Sequence, residues 1–132
     1  MDLEIDVASA EAVYEQIVRQ IQHAVRHGTL VPGTPLPSIR QLADDLELNH
    51  NTVAKAYKML EQQHVILTAG RRGTFISAEA VRQVAQRNEQ EASHLLEGVV
   101  RQLADKGLAA AQINAVFQHV LAAQFQLEGK AT

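Results

Sequence analysis

The chain has 132 residues, 46% of them hydrophobic, and a formal net charge of −3. That suits one domain with an appendage and supplies enough apolar material for a core. No apolar run approaches the ~18 residues of a membrane span, the acidic start Met1-Asp2-Leu3-Glu4-Ile5-Asp6 lacks the blocks of a secretory signal, and the absence of cysteine excludes disulfides and thiolate metal sites. A cytoplasmic protein with no membrane partner is expected. The charge is unevenly spread. Residues 49–76 carry Lys55, Lys58, Arg71 and Arg72 against Glu61, a net +3, which leaves −6 elsewhere. A basic patch on an acidic body suits a phosphate-bearing partner. Charge alone is equally compatible with chance clustering.

In chain order, Leu3, Ile5 and Val7 alternate with Asp2, Glu4 and Asp6, which predicts a short strand. From about residue 10 to 27, Val13, Ile17, Ile21 and Ala24/Val25 recur at helical spacing, and Gly28 provides a stop. Residues 29–37 hold all three prolines and predict a rigid loop. Ser38 with Gln41 three positions later reads as a capping box, opening a helix with Ile39, Leu42, Ala43 and Leu46 on its apolar face. Glu47 and Leu48 leave room only for a turn before Asn49, a good N-cap for the next helix. That helix places Val53, Ala56, Tyr57 and Leu60 on one face and Asn51, Lys55, Lys58 and Gln62 on the other. Two short helices joined so tightly predict a helix-turn-helix.

Residues 65–68 and 74–77 read as two strands of a hairpin, with Gly70, Arg71, Arg72 and Gly73 at its basic tip. In this position the hairpin would be a wing. From residue 78 to about 106 a helical stripe runs through Val81, Val84/Ala85, Ala92, Leu95/Leu96, Val99 and Leu103, interrupted only by Asn88 and ended by Gly107. Ile113, Val116/Phe117, Val120 and Leu127 mark a last helix, and residues 128–132 read as a frayed end.

The major groove of B-DNA admits one helix, whose first turn reaches base edges. Here that turn is His50-Asn51-Thr52. An asparagine can pair with adenine through two hydrogen bonds, and a threonine can bond a phosphate or touch a thymine methyl. The plainer reading is that Asn49, Asn51 and Thr52 only cap a helix. It is the favoured reading for Asn49, whereas the exposed face favours DNA contact for Asn51 and Thr52. Lys55 and Lys58 are either solvated lysines or phosphate contacts, and their place beside the groove-facing turn favours the latter. Arg40 sits where the preceding helix crosses the DNA backbone; its competing use is a surface ion pair with Asp44. Arg71 and Arg72 at the tip suit a narrow minor groove. Gly73 has the turn itself as an alternative role.

His23 and His27 stand at i, i+4, a spacing that can hold zinc, but no third ligand is near in sequence and no HExxH motif occurs. Ordinary surface histidines are the better reading, and no metal or cofactor is expected. No nucleophile elbow, phosphate loop or paired catalytic constellation is present, so no enzyme is expected.

Three segments in order resemble the GntR family of bacterial transcriptional regulators. They are Pro32-Gly33 with residues 36–43 (Leu-Pro-Ser-Ile-Arg-Gln-Leu-Ala), residues 51–57 (Asn-Thr-Val-Ala-Lys-Ala-Tyr) with Leu60-Glu61, and residues 70–76 (Gly-Arg-Arg-Gly-Thr-Phe-Ile). The second segment and the short C-terminal part resemble the YtrA-type subfamily. The chain departs from the pattern in four places. Glu47 and His64 stand where glycine is common, His50 stands where the subfamily usually has proline, and the wing has two arginines where one basic residue is usual. The resemblance implies that Arg40, residues 49–52, Lys55 and the wing around residues 71–74 touch DNA, and that the protein is a homodimeric repressor, often encoded near transporter genes.

The fold expected is mainly α with a small β-wing: a winged helix-turn-helix at residues 1–77, then two dimerisation helices at 78–132. The expected DNA-binding set is Ser38, Arg40, Asn49, His50, Asn51, Thr52, Lys55, Lys58, Arg71, Arg72, Gly73 and Thr74. Some 55 C-terminal residues rarely enclose a ligand cavity or fold alone. A second copy is the simplest cover for their apolar stripes, through Val81, Val84, Leu95, Leu96, Val99, Leu103, Ile113, Val116, Phe117 and Val120. Double-stranded DNA and a second copy are therefore the expected partners, with a small-molecule effector left open. The competing function is an effector- or metal-sensing module using His23, His27, His94 or His119. A winged-helix piece of a larger aminotransferase-like enzyme is disfavoured by the lack of a cofactor lysine motif and by the chain's ending at Thr132.

Overall fold

The computed structural model describes residues 1–125 and comprises α1 (Val13–Arg26), β1 (Pro35–Leu36), α2 (Ile39–Leu46), α3 (His50–Gln62), β2 (Ile66–Thr68), β3 (Thr74–Ile76), α4 (Ala80–Asp105) and α5 (Ala110–Phe125). The expected continuation of the last helix to Leu127, and the end at 128–132, lie outside the described residues. Among the described residues no helix is long and apolar enough to cross a membrane. The chain divides into two compact units, residues 1–88 and 89–132.

The first unit is built on α3, which packs against both α1 and α2. Ile17, Ile21 and Val25 of α1 meet Val53, Ala56 and Leu60 of α3 in a core where all six are essentially inaccessible to solvent. The helices α1 and α3 run in the same direction. Tyr14 near the start of α1 lies beside Lys55, and Gln22 Nε2 further along donates to Gln63 Oε1 at the end of α3 (2.6 Å). The wing closes the core from the other side. It is a three-stranded antiparallel sheet ordered β1-β3-β2, with Leu36 opposite Thr74 and Ile66 opposite Ile76.

Helix boundaries follow local chemistry. Ser38 Oγ accepts from the Gln41 N–H (3.1 Å) while Gln41 Oε1 accepts from the Ser38 N–H (3.0 Å), so the expected capping box is present. Asn49 caps α3 by accepting from the Asn51 N–H (2.8 Å). Both α2 and α3 are followed by a residue in the left-handed region, Glu47 (φ 55°) directly after α2 and His64 (φ 61°) after Gln63. The following amides, Leu48 N–H and Val65 N–H, fold back to Ala43 O (2.9 Å) and Leu60 O (3.0 Å). This is the closure that glycine usually makes without a Cβ penalty. Glu47→Gly and His64→Gly are therefore expected to be neutral or stabilising by up to about 1 kcal/mol each, because relief of left-handed strain outweighs the added freedom of the unfolded chain. A urea midpoint that fell in either variant would contradict this.

Three sequence expectations need correction. Residues 3–7 form no strand: the alternation is real, with Leu3 and Ile5 packed against the core, but the partners are side-chain amides. Gln20 bonds the N–H and C=O of Glu4 (2.9 and 2.6 Å), and buried Gln16 bonds those of Asp6 (2.9 and 2.8 Å). The proline loop contains strand β1, whose pairing with β3 is too distant in sequence to show locally. Val84, expected on the free stripe, is 2% exposed and fills the first unit's core with Ala80.

In the second unit, α4 closes at Gly107 (φ 94°), where Leu108 N–H bonds Leu103 O (3.2 Å), and α5 follows. No residue of α5 is buried.

Candidate nucleic-acid interface

The first turn of α3 offers polar groups unequally. The Asn49 side chain is committed to its cap, whereas Asn51 is exposed and its side-chain amide makes no hydrogen bond among the described residues. Thr52 is half-buried beside it. His50 Nε2 stands 3.3 Å from Asp44 Oδ1, joining α3 to α2. The expected alternative, an Arg40–Asp44 ion pair, is not formed. Among the described residues Arg40, Lys55, Lys58, Arg71 and Arg72 form no salt bridge, and all are exposed. The cationic side chains on this unit's helix-turn-helix and wing are thus uncompensated, the condition in which they attract phosphate most strongly.

Ser38 is placed at the same edge, but its hydroxyl accepts the capping bond, so its role in the free protein is to start α2. The wing tip is tighter than a simple hairpin loop: Gly70–Arg72 form one 3₁₀ turn, and Ala69 N–H bonds Gly73 O (2.8 Å). Gly73 has φ 100° and ψ −159°, a conformation open essentially only to glycine, so its structural role is fixed whatever it touches. Thr74 follows in β3, half-buried. The start of α2, the side of α3 that carries Tyr57 and Lys58, and the wing line an open groove of about 520 Å³, with Ser38, Lys58, Glu61, Thr68 and Thr74 on its walls; Asn51 and Lys55 lie outside it.

Sequence reasoning missed three side-chain contacts that tie the elements of this unit together. Periodicity places Tyr57 only on the apolar face, yet its hydroxyl donates to Pro37 O (2.7 Å), tying α3 to the loop before α2. Burial pushes its phenol above the ordinary tyrosine range. Thr68 Oγ1 donates to Glu61 Oε2 (2.7 Å), tying the wing to α3. Tyr14 lies under Lys55, its ring centroid 4.0 Å from the ammonium. A tyrosine at an apolar position beside a polar loop is the one signal that could have been read, since a buried phenol finds a partner.

The histidines do not converge. The rings of His23 and His27 lie against each other at a tilt of 49° with centroids 4.1 Å apart, and one Arg26 nitrogen lies within 3.2 Å of a ring nitrogen of each. Desolvation first, then the nearby His27, Arg26 and Arg19, lower His23 from its ordinary value. No group of three metal-ligating side chains exists among the described residues.

In the second unit, Leu96, Val99, Leu103, Ile113, Phe117 and Val120 line an open apolar groove of about 580 Å³. Val99, Val116, Phe117 and Val120 are 42–49% exposed and Leu95 is 71% exposed, while Leu103 and Ile113 are half-buried. Val81 is also exposed, on the first unit's part of α4.

A short capped helix, a tight turn, a second helix with a free amide in its first turn and a basic-tipped three-stranded wing define a winged helix-turn-helix DNA-binding protein. Residues 13–76 match the bacterial regulatory proteins of the gntR family. The chain is 45% identical over 78 residues to the HTH-type transcriptional repressor YtrA of Bacillus subtilis, covering 59% of this chain and 60% of that protein. It is 34% identical over 100 residues to the uncharacterised HTH-type transcriptional regulator YhcF of the same organism, covering 76% of this chain and 82% of that one. A crystal structure of a transcriptional regulator from Oenococcus oeni superposes with a TM-score of 0.73 at 33% identity, covering 89% of this chain and 97% of that one. The chain belongs to the gntR family of bacterial regulatory proteins. The match spans about three-fifths of the length of the YtrA repressor.

Proposed function

We propose that this regulator is a repressor that binds a palindromic operator as a homodimer, reading bases with Asn51 and Thr52. In this reading Arg40, Lys55 and Lys58 hold phosphates, and Arg71 and Arg72 enter the adjoining minor groove. The observation that carries it is the free Asn51 amide in the first turn of α3 together with Arg40, Lys55, Lys58, Arg71 and Arg72, all exposed and none in a salt bridge among the described residues. A gel shift with fragments of the source genome at two salt concentrations tests it. A few fragments should be retained at the higher salt, each weakened as salt rises. Retention of every fragment alike would contradict sequence-specific regulation.

The apolar face of α4 and α5 supports the dimer. A contiguous face of this kind is rare on a monomer, and the same face of a second chain covers it with an isologous interface. Two recognition helices would then meet two half-sites about one helical turn apart. Placing a charge on that face in the full chain is the direct check. Phe117→Glu is expected to halve the mass seen by light scattering and to weaken operator binding by more than tenfold, since each subunit alone holds one half-site. A variant that stayed dimeric would overturn the assignment of the interface.

A further inference from the structure

We infer that Tyr14 is a positioning residue for Lys55, holding the lysine ammonium toward the DNA backbone with its charge intact; the inference rests on α3 being the recognition helix. Because α1 and α3 run in the same direction, the first turn of α1 lies at the DNA-facing end of α3. Tyr14 is half-buried there, on the side of α1 that meets α3, and its ring face lies 4.0 Å from the exposed Lys55 ammonium. The neighbouring Glu15 carboxylate raises the Tyr14 phenol above its ordinary value.

A lysine can be steadied by a carboxylate or by an aromatic face, and the two have opposite consequences for a phosphate ligand. A carboxylate cancels the positive charge and repels the phosphate. A ring attracts the ammonium through its quadrupole and leaves the full charge outward. The same helix shows the first device: Arg19 is held by Glu11 at 2.9 Å, its charge neutralised. Lys55 has the second device and no salt bridge among the described residues. The ring also removes rotamer freedom that the lysine would otherwise lose on binding. The first turn of α1 is in this way part of the binding machinery without needing to touch DNA.

The test compares Tyr14→Leu and Tyr14→Phe, alone and with Lys55→Ala, on a random-sequence duplex across a salt series. NMR of the Lys55 side chain in the free protein accompanies it. The expected result is an upfield ring-current shift of the Lys55 ε-methylene that Tyr14→Leu abolishes and Tyr14→Phe keeps. Tyr14→Leu should weaken binding to the duplex by about 2- to 5-fold per bound subunit. Tyr14→Phe should restore it, and Tyr14→Leu should add nothing once Lys55 is alanine. Equal losses in the phenylalanine and leucine variants, or a leucine effect that persists beside Lys55→Ala, would overturn the positioning role. Duplex binding without any ring-current shift would overturn it too. A wild-type chain that bound no duplex would instead overturn the recognition-helix reading on which it rests.

Discussion

Leu60→Ala is expected to destabilise the first unit by about 2–5 kcal/mol, the range for emptying a fully buried leucine site. Leu60 is 0% exposed, on the helix that packs against α1, α2 and β2. Its removal would leave a cavity at the one place where helices and wing share a wall. The loss is a large part of the roughly 5–15 kcal/mol that holds a domain folded. DNA binding should be lost at a correspondingly lower urea concentration, because α3 carries Asn51, Lys55 and Lys58. Urea unfolding at fixed protein concentration is the measurement, with a lower midpoint and an unchanged slope as the expected pattern. A shift worth less than about 1 kcal/mol would mean that α3 does not form the centre of the core.

Asn51→Ala is expected to cost about 1–3 kcal/mol per half-site on the selected operator and little on scrambled DNA. The structure separates this residue from its neighbours in kind. Asn49 is tied to its cap and His50 to Asp44, which leaves Asn51 as the asparagine of that turn with a free amide. The substitution leaves the helix intact because the cap belongs to Asn49. Lys55→Ala should behave differently, weakening both duplexes by similar factors and lowering the salt slope by about 1 for each phosphate it no longer neutralises. Arg71→Ala should fall between the two, responding to A·T content beside each half-site. Binding of each variant to operator and scrambled duplex distinguishes the roles. Equal losses on both duplexes for Asn51→Ala would remove it from the base-reading set.

Much of the fold was legible because it is written in short-range chemistry. The Ser38–Gln41 box, the Asn49 cap, the Gly107 stop and the glycines of the wing tip act within a few residues of themselves, and each does what its local pattern implies. The failures share a cause in long-range pairing. Alternation at residues 3–7 correctly told which side chains face inward, but not that Gln16 and Gln20 would replace a neighbouring strand. The stripe on α4 told that Val84 would be covered, but not that the first unit's own core would cover it. Glu47 and His64 depart from the glycine expected there, yet the backbone keeps the glycine-like conformation, because the turn geometry outweighs the strain. At the interface, sequence position alone named the exposed cations and the free amide. It could not reveal Tyr14, whose role depends on α1 and α3 running in parallel.

One titration tests base reading by α3 most directly. Fluorescence anisotropy would follow wild-type protein binding to its selected operator, to a single half-site and to a scrambled duplex, each over a salt series. The operator should bind at least about 10³-fold more tightly than the scrambled duplex at physiological salt. All three should weaken linearly in the logarithm of salt concentration, the scrambled duplex included. The half-site should lose far more affinity than one mismatched base accounts for, because one of two recognition helices is left without a groove. Operator and scrambled duplex binding alike at every salt concentration would contradict base reading by the first turn of α3.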